Sequence, residues 1–155
     1  MKIVCGWQPL AEVLAEPNLP DLIRSYWEEL SPHPALVCDP DWPLMLTMEA
    51  EGRFKVWTCR VDGTLAGFIA FHFMTHIAYR STVLAIDAGH YLGSAWRNRG
   101  RIGYNMWRSV KPALKAEGAV LAMLHDNAAR PLMPFFLSLG AEPFSTIYWW
   151  DLGAK

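Results

Sequence analysis

Cysteine is scarce and scattered. Cys5, Cys38 and Cys59 are the only three. The number is odd, no two are close in sequence and there is no CxxC, which argues against a disulfide framework or a zinc cluster. They read as small buried apolar residues, not as nucleophiles. Neither sign of charge is in excess: 14 Lys and Arg against 15 Asp and Glu leave a net charge of −1. A nucleic-acid binder driven by bulk charge is therefore not expected. Long apolar runs are missing as well. The longest, Leu65 to Ala78, is broken by His72 and His76 and is too short to span a bilayer. The opening MKIVCGWQPLAEVLAE has one lysine but no long apolar stretch before Gln8 and Glu12, so no signal peptide is expected. Repeats, low-complexity segments and domain linkers are also lacking. The expectation is a single cytoplasmic domain covering residues 1–155, with its oligomeric state, homodimer included, left open.

What is present in quantity is apolar and aromatic. Hydrophobic residues make up 52% of the chain and charged residues 19%, the balance of a compact domain with a real core. Eight tryptophans exceed what a core of this size requires, so some are candidates for a ligand slot or an interface. Trp27, Trp42 and Trp57 are the candidates for an acceptor pocket.

Residues Lys2 to Trp7 read as a strand, and Leu10 to Ala15 and Asp21 to Leu30 as helices by the spacing of Leu22, Ile23, Tyr26, Trp27 and Leu30. Asp41-Trp42-Pro43 predicts a helix to Glu49, with Asp41 as cap. Phe54 to Val61 alternates as a strand, and Asp62-Gly63 is a hairpin turn. Thr64 to Tyr79 reads as a central strand, Arg80-Ser81 as a turn, and Thr82 to Leu92 as the third strand of a meander. Ile102 to Glu117 reads as a helix stopped by Gly118, with Pro112 kinking it or marking its last turns. Ala119 to His125 is a short strand suited to a sheet centre. Asp126-Asn127 caps a helix running from Pro131 to Leu139, and Glu142 to Leu152 is the last strand.

The organising stretch runs from Thr82 to Trp107. A strand enters a loop holding Arg97, Arg99 and Arg101 with Gly100 and Gly103, and a helix begins there. Backbone N–H groups, a helix N-terminus and glycines together make an anion cradle. Three arginines in five residues tilt the loop toward phosphate contact and away from ordinary solvated charge.

This order of elements resembles the GNAT acetyltransferase superfamily, an α/β fold of α+β type with a mixed, mostly antiparallel central sheet flanked by helices. Tyr91-Leu92 followed by Arg97, Gly100 and Gly103 resembles its acyl-CoA pyrophosphate signature. Asp126-Asn127-Ala128 followed by Phe135-Phe136-Leu137-Ser138-Leu139-Gly140-Ala141 resembles its downstream block. The stretch from His76-Ile77-Ala78-Tyr79 through Ile86-Asp87 to Tyr91 resembles acetyltransferases encoded by bacteriophages and prophages.

The resemblance implies transfer of an acetyl group from acetyl-CoA, or another acyl-CoA, to an amine acceptor. That acceptor is a small molecule or a protein. The alternative is a GNAT-fold protein that binds CoA or a protein partner without efficient transfer. The implied cofactor contacts are Tyr91 and Leu92 through their main chain, then Arg97, Arg99, Gly100, Arg101, Ile102, Gly103, Asn127 and Phe136. The loop departs from the family pattern. It reads either as Arg97-x-x-Gly100 with Gly103 one step late, or as Arg99-Gly100-Arg101-Ile102-Gly103. Phe136 stands where the family has a tyrosine that protonates the departing thiolate, so that role passes to another group or is unfilled.

The amine must lose a proton, which calls for a base. Asp87 is the first candidate, because a carboxylate inside an apolar strand is costly unless paired, solvated or functional. A structural partnership with an arginine or a turn N–H weighs equally. His90 lies on the opposite face by alternation and joins Asp87 only if the strand bulges, which Gly89 would permit. His76 is a minor candidate, Tyr148 is the phenol left near the cleft, and zinc binding is rejected.

Overall fold

The computed structural model describes residues 1–30, 36–127 and 130–145. Five strands form one sheet in the order β1 (Ile3–Gln8), β2 (Phe54–Val61), β3 (Thr64–His76), β4 (Tyr79–Leu92) and β5 (Leu121–Met123). The first three pairings are antiparallel, and β4 pairs with β5 in parallel. On one face lie α1 (Leu10–Leu14), α2 (Leu19–Leu30) and α3 (Trp42–Ala50). On the other lie α4 (Ile102–Ala116) and α5 (Met133–Ser138).

Period-2 alternation explains the two cores. Ile69, Phe71 and Phe73 of β3 face α4, whereas Phe68 and Ala70 face α1 and α2. Trp57 belongs to the α4 side, where it meets Trp7 edge-on at 5.0 Å, so it does not line an acceptor pocket. The Asp62-Gly63 turn has positive φ at both positions, 48° and 87°, as a type I′ hairpin requires. Asp41 caps α3 by accepting the Leu44 N–H at 2.9 Å. Short α1 has no side-chain cap of its own, and Glu49 of α3 accepts its Leu10 N–H at 2.8 Å.

Several expected boundaries move. The β3–β4 turn is Ile77-Ala78, not Arg80-Ser81, and β4 begins at Tyr79. His76 makes this turn by accepting the Ala78 N–H at 3.0 Å while its ring lies 4.6 Å from Tyr79. A side-chain clasp replaces the Gly or Asn that would have signalled a turn. The strand expected at the sheet centre, β5, is only three residues long. Among the described residues it lies at the sheet edge, with Leu121 exposed. Helix α5 starts at Met133, and its cap is Asp126 alone, which accepts the N–H groups of Leu132 and Met133. Residues 141–145 form no strand, and the rest of the expected last strand lies outside the described residues.

Cys5 and Cys59 are 54 residues apart, yet they oppose each other across β1 and β2 with sulfurs 3.0 Å apart. The Cys59 thiol is pushed up by its hydrogen bond to Cys5 and by burial, so it stays protonated. Its hydrogen bond holds Cys5 down at about 7, against burial and with help from Ser109. Alkylation of Cys5, followed by peptide mass mapping, is expected to rise with a midpoint near that value. Cys59→Ala should return the midpoint toward the free-thiol value of about 8.5. An unmoved midpoint would remove the pairing as the cause.

Candidate functional site

A bulge in β4 decides which side chains meet. Ala70 opposes Gly89 and Phe71 opposes Asp87, which leaves Ala88 as an extra residue. Asp87 faces α4 and is fully buried. The extra residue brings His90 back to that same face. One Asp87 oxygen accepts the Gly89 N–H at 2.9 Å, and the other lies 2.7 Å from His90 Nδ1. A carboxylate only accepts, so Nδ1 carries the hydrogen and Nε2 of the neutral ring keeps its lone pair. His125, two residues past the end of β5, holds Asp87, its N–H 3.4 Å from the carboxylate and its Nδ1 donating to the Asp87 carbonyl. Nothing in the sequence singled out His125.

The His90 ring stands edge-on to Trp107 at 5.1 Å and to Phe136 at 6.1 Å. Its side chain keeps 14% exposure, against 0% for Asp87. Asp87, the first base candidate, has both oxygens engaged and its side chain fully buried. His90 is the member of the pair within reach. Phe136 is core, packed edge-on against Trp107 at 5.0 Å.

Beside this pair the sheet opens. β4 and β5 pair only from Leu84 to Ile86, and among the described residues no strand continues alongside residues 87–92. Past this gap the chain enters a short 3-10 turn (Ser94–Trp96) and then the arginine loop. Asn98, Gly100 and Arg101 all have φ between 53° and 58°, so the loop coils left-handed into α4. Gly100 is the one of the three without a side-chain cost in that conformation. The N–H of Ile102 is taken by the Arg99 carbonyl, and its side chain is core, which removes it from the expected cofactor contacts. The N–H groups of Arg99, Gly100, Arg101, Gly103 and Tyr104 meet no acceptor among the described residues. Such open donors at a helix start are what an anion requires.

Arg97 behaves unlike its neighbours. Its Nε donates to the Leu92 carbonyl at 2.8 Å, and its Nη1 pairs with Glu29 at 2.8 Å. Glu29 also takes Arg130 at 2.6 Å and the Tyr91 hydroxyl at 2.6 Å. Burial alone would raise the Glu29 carboxyl, but hydrogen bonds from Arg97 and Tyr91 and the charges of Arg97 and Arg130 bring it below its ordinary value. Arg97 therefore locks α2 to the end of β4, a structural task in place of the expected phosphate contact. Arg99 is exposed, and Arg101 is exposed with its guanidinium 4.4 Å from the Tyr104 ring.

The remaining candidates scatter. His76 sits at the hairpin tip, five residues along β3 from the partner of Asp87, roughly 17 Å away at ~3.4 Å per residue. Asn127 donates to the Leu30 carbonyl at 3.2 Å, tying the chain after β5 to α2, and it does not cap α5. Tyr148 lies outside the described residues. On the opposite face of β4, Ala88 and Gly89 form one wall of an open cavity of about 360 Å³ lined by α1, α2, α3 and the 37–42 segment. Trp27 and Trp42 line it, as the sequence suggested. Tyr26 and His72, which the sequence did not mark as site residues, line it too.

No family model matches the chain. No curated protein matches it by sequence. Solved structures do match over its length. An aminoglycoside acetyltransferase from an uncultured soil metagenomic sample, in complex with trehalose, superposes with a TM-score of 0.74 at 13% identity, covering 97% of each chain. A ribosomal-protein-alanine N-acetyltransferase from Brucella melitensis gives 0.69 at 16% identity, over 98% of this chain and 100% of its own. Glucosamine-6-phosphate N-acetyltransferase from Arabidopsis thaliana gives 0.69 at 9%, over 99% and 100%. These are GNAT-fold N-acetyltransferases, and this chain has their fold.

Proposed function

We propose that the protein is an acyl-CoA-dependent N-acyltransferase that passes an acetyl group to an amine. One juxtaposition carries the reading. Where β4 parts from β5, the bulge sets an Asp87–His90 pair beside the gap, and the chain then runs into a loop of unpartnered N–H groups at the start of a 15-residue helix.

The residues fit the nucleotide end of acetyl-CoA. The N–H groups of Arg99, Gly100, Arg101, Gly103 and Tyr104 and the exposed guanidinium groups of Arg99 and Arg101 would hold its pyrophosphate, with the α4 dipole adding to the attraction. The edge of β4 between Ala88 and Tyr91 would receive the extended arm through main-chain groups, since the Asp87 and Leu92 carbonyls are taken by His125 and Arg97. Bound there, acetyl-CoA supplies an activated thioester and a thiol leaving group.

His90 handles the proton. Asp87 fixes the ring through Nδ1, which presents Nε2 as the site where a proton is taken up and released. Contact with Phe136 puts His90 beside the position where the family carries its tyrosine, so the imidazole stands in for the missing phenol. The likeness of the His76 to Tyr91 stretch to phage-encoded acetyltransferases belongs to the same reading and rests on sequence alone.

Titration calorimetry with acetyl-CoA tests it. Binding should be measurable in the micromolar range, and the double change Arg99→Ala, Arg101→Ala should weaken it about tenfold or more, the scale of one lost charge-assisted hydrogen bond. Absence of binding at millimolar acetyl-CoA would end the reading.

A further inference from the structure

The structure assigns an acceptor class: a single amine carried on a compact apolar body, of the arylalkylamine type, bound in the cavity between α1, α2 and α3. This rests on the acyl-transfer reading above and adds to it what the acceptor is.

The cavity reaches the correct place. Its inner wall is Ala88 and Gly89, on the face of β4 opposite the Asp87 and His90 side chains, so a group at its end lies against the bulge and reaches His90 through the gap where β4 parts from β5. At about 360 Å³ it falls at the small end of ligand pockets, with room for one or two fused rings. The walls are apolar and aromatic, Trp27, Trp42, Phe54 and Phe68 among them.

Charge narrows the class. Among the described lining residues there is no lysine or arginine, and Asp39 is the one carboxylate. Arg24, on an adjoining groove, is paired with Asp21 at 2.9 Å. A phosphate or carboxylate on the acceptor would find no lysine or arginine among the described lining residues. A polycation would have one counter-charge and would bury its other ammonium groups against tryptophan and phenylalanine, which is costly. One ammonium is well served, by Asp39 at the rim on entry and by aromatic faces along the wall.

The inner end offers a hydroxyl. A Cβ placed on Gly89 would lie 3.1 Å from the Tyr26 oxygen, so this phenol sits over the bulge. Burial, then the nearby Asp87 charge, raises the phenol's pKa, so it stays protonated and meets an amine through its oxygen lone pair. His72, lower in the same wall, is held toward its neutral form by burial and by Arg53. Tyr26 acts as a positioning residue. It aims the nitrogen toward β4.

The test compares 2-phenylethylamine and tryptamine with kanamycin, glucosamine 6-phosphate and a short peptide, by free-thiol release with acetyl-CoA and by calorimetry of each amine alone. The arylalkylamines should bind without cofactor and show kcat/KM at least tenfold above the others. Ala70→Phe, which fills the cavity from β3, should abolish their binding. Tyr26→Phe keeps the ring packing against Phe68 and Tyr91 and should raise KM about fivefold. In both variants acetyl-CoA affinity should be unchanged, which also verifies folding. Three results would overturn the assignment: no arylalkylamine binding to wild-type protein, preferred transfer to kanamycin, sugar phosphate or peptide, or arylalkylamine kinetics untouched by Ala70→Phe. Loss of acetyl-CoA binding itself would instead remove the acyl-transfer reading.

Discussion

His90→Ala is expected to lower the acetyl-transfer rate constant by roughly 10²–10⁴-fold, the usual contribution of a positioned acid–base group. Affinity for acetyl-CoA should be nearly unchanged, because the imidazole lies beside the β4 gap and not in the arginine loop. Free-thiol release at saturating amine, with calorimetry as control, measures both. The variant leaves Asp87 fully buried with one oxygen still bonded to the Gly89 N–H and the other without its imidazole partner. A stability loss is therefore expected too, and kinetics must be taken well below the melting temperature. Asp87→Asn keeps the shape but replaces an acceptor-only group with an amide that can present its NH₂ to Nδ1. It should lower kcat without raising KM for the amine. If His90→Ala leaves kcat intact, the pair is structural and the proton leaves by another route. If wild-type protein binds acetyl-CoA and releases no thiol with any amine, the catalytically weak alternative, in which Phe136 marks a lost acid, takes its place.

The largest stability effect is expected at Gly67, near the start of β3. A Cβ there would lie 2.4 Å from the Tyr91 carbonyl oxygen and 3.0 Å from the Leu92 Cα. Both are backbone atoms of the neighbouring strand, and no rotamer change relieves them. Gly67→Ala must push β4 away from β3 where Leu92 hands the chain on to the Arg97 lock. A loss of about 3 kcal/mol, the upper part of the overpacking range, is expected from urea unfolding. Acetyl-CoA affinity should fall with it, since the end of β4 is the proposed cofactor edge. Gly6→Ala is the control. It sits in β1 with nothing within 4 Å of the new methyl group and should be neutral or stabilising by ~0.5–1 kcal/mol. Equal effects at the two positions would mean that conformational entropy, and not the closeness of β4, sets the cost.

Both sites show where sequence reading stops. Gly67 is one glycine in an apolar run, and only the register of β3 against β4 tells that a backbone lies over it. Asp87 stands out in any reading, since a charged residue in an apolar strand demands an explanation. Its partner does not, because alternation puts His90 on the wrong face. Gly89 hinted at the bulge that reverses this, but a glycine in a strand permits a bulge without requiring one. Arg97 misleads for the opposite reason. Its place in a Gly/Arg loop suggested phosphate, and Glu29, 68 residues earlier, claims it. Tyr26 read as one position of a helical stripe. Its hydroxyl gains meaning only from Gly89 beneath it.

Periodicity and local turn chemistry determined most of the fold. The elements from β1 through α4 could be read from apolar spacing, caps and the Asp62-Gly63 hairpin, because those signals act within a few residues along the chain. The glycine- and arginine-rich loop leading into α4 was legible for the same reason. Tertiary structure decided the chemistry: which oxygen meets His90, which arginine is already spoken for, and which aromatic rings enclose a cavity and which fill a core. Each of those outcomes depends on the relative register of strands distant in sequence. A one-residue bulge turns a side chain to the other face, and no local pattern in the chain determines where that extra residue falls.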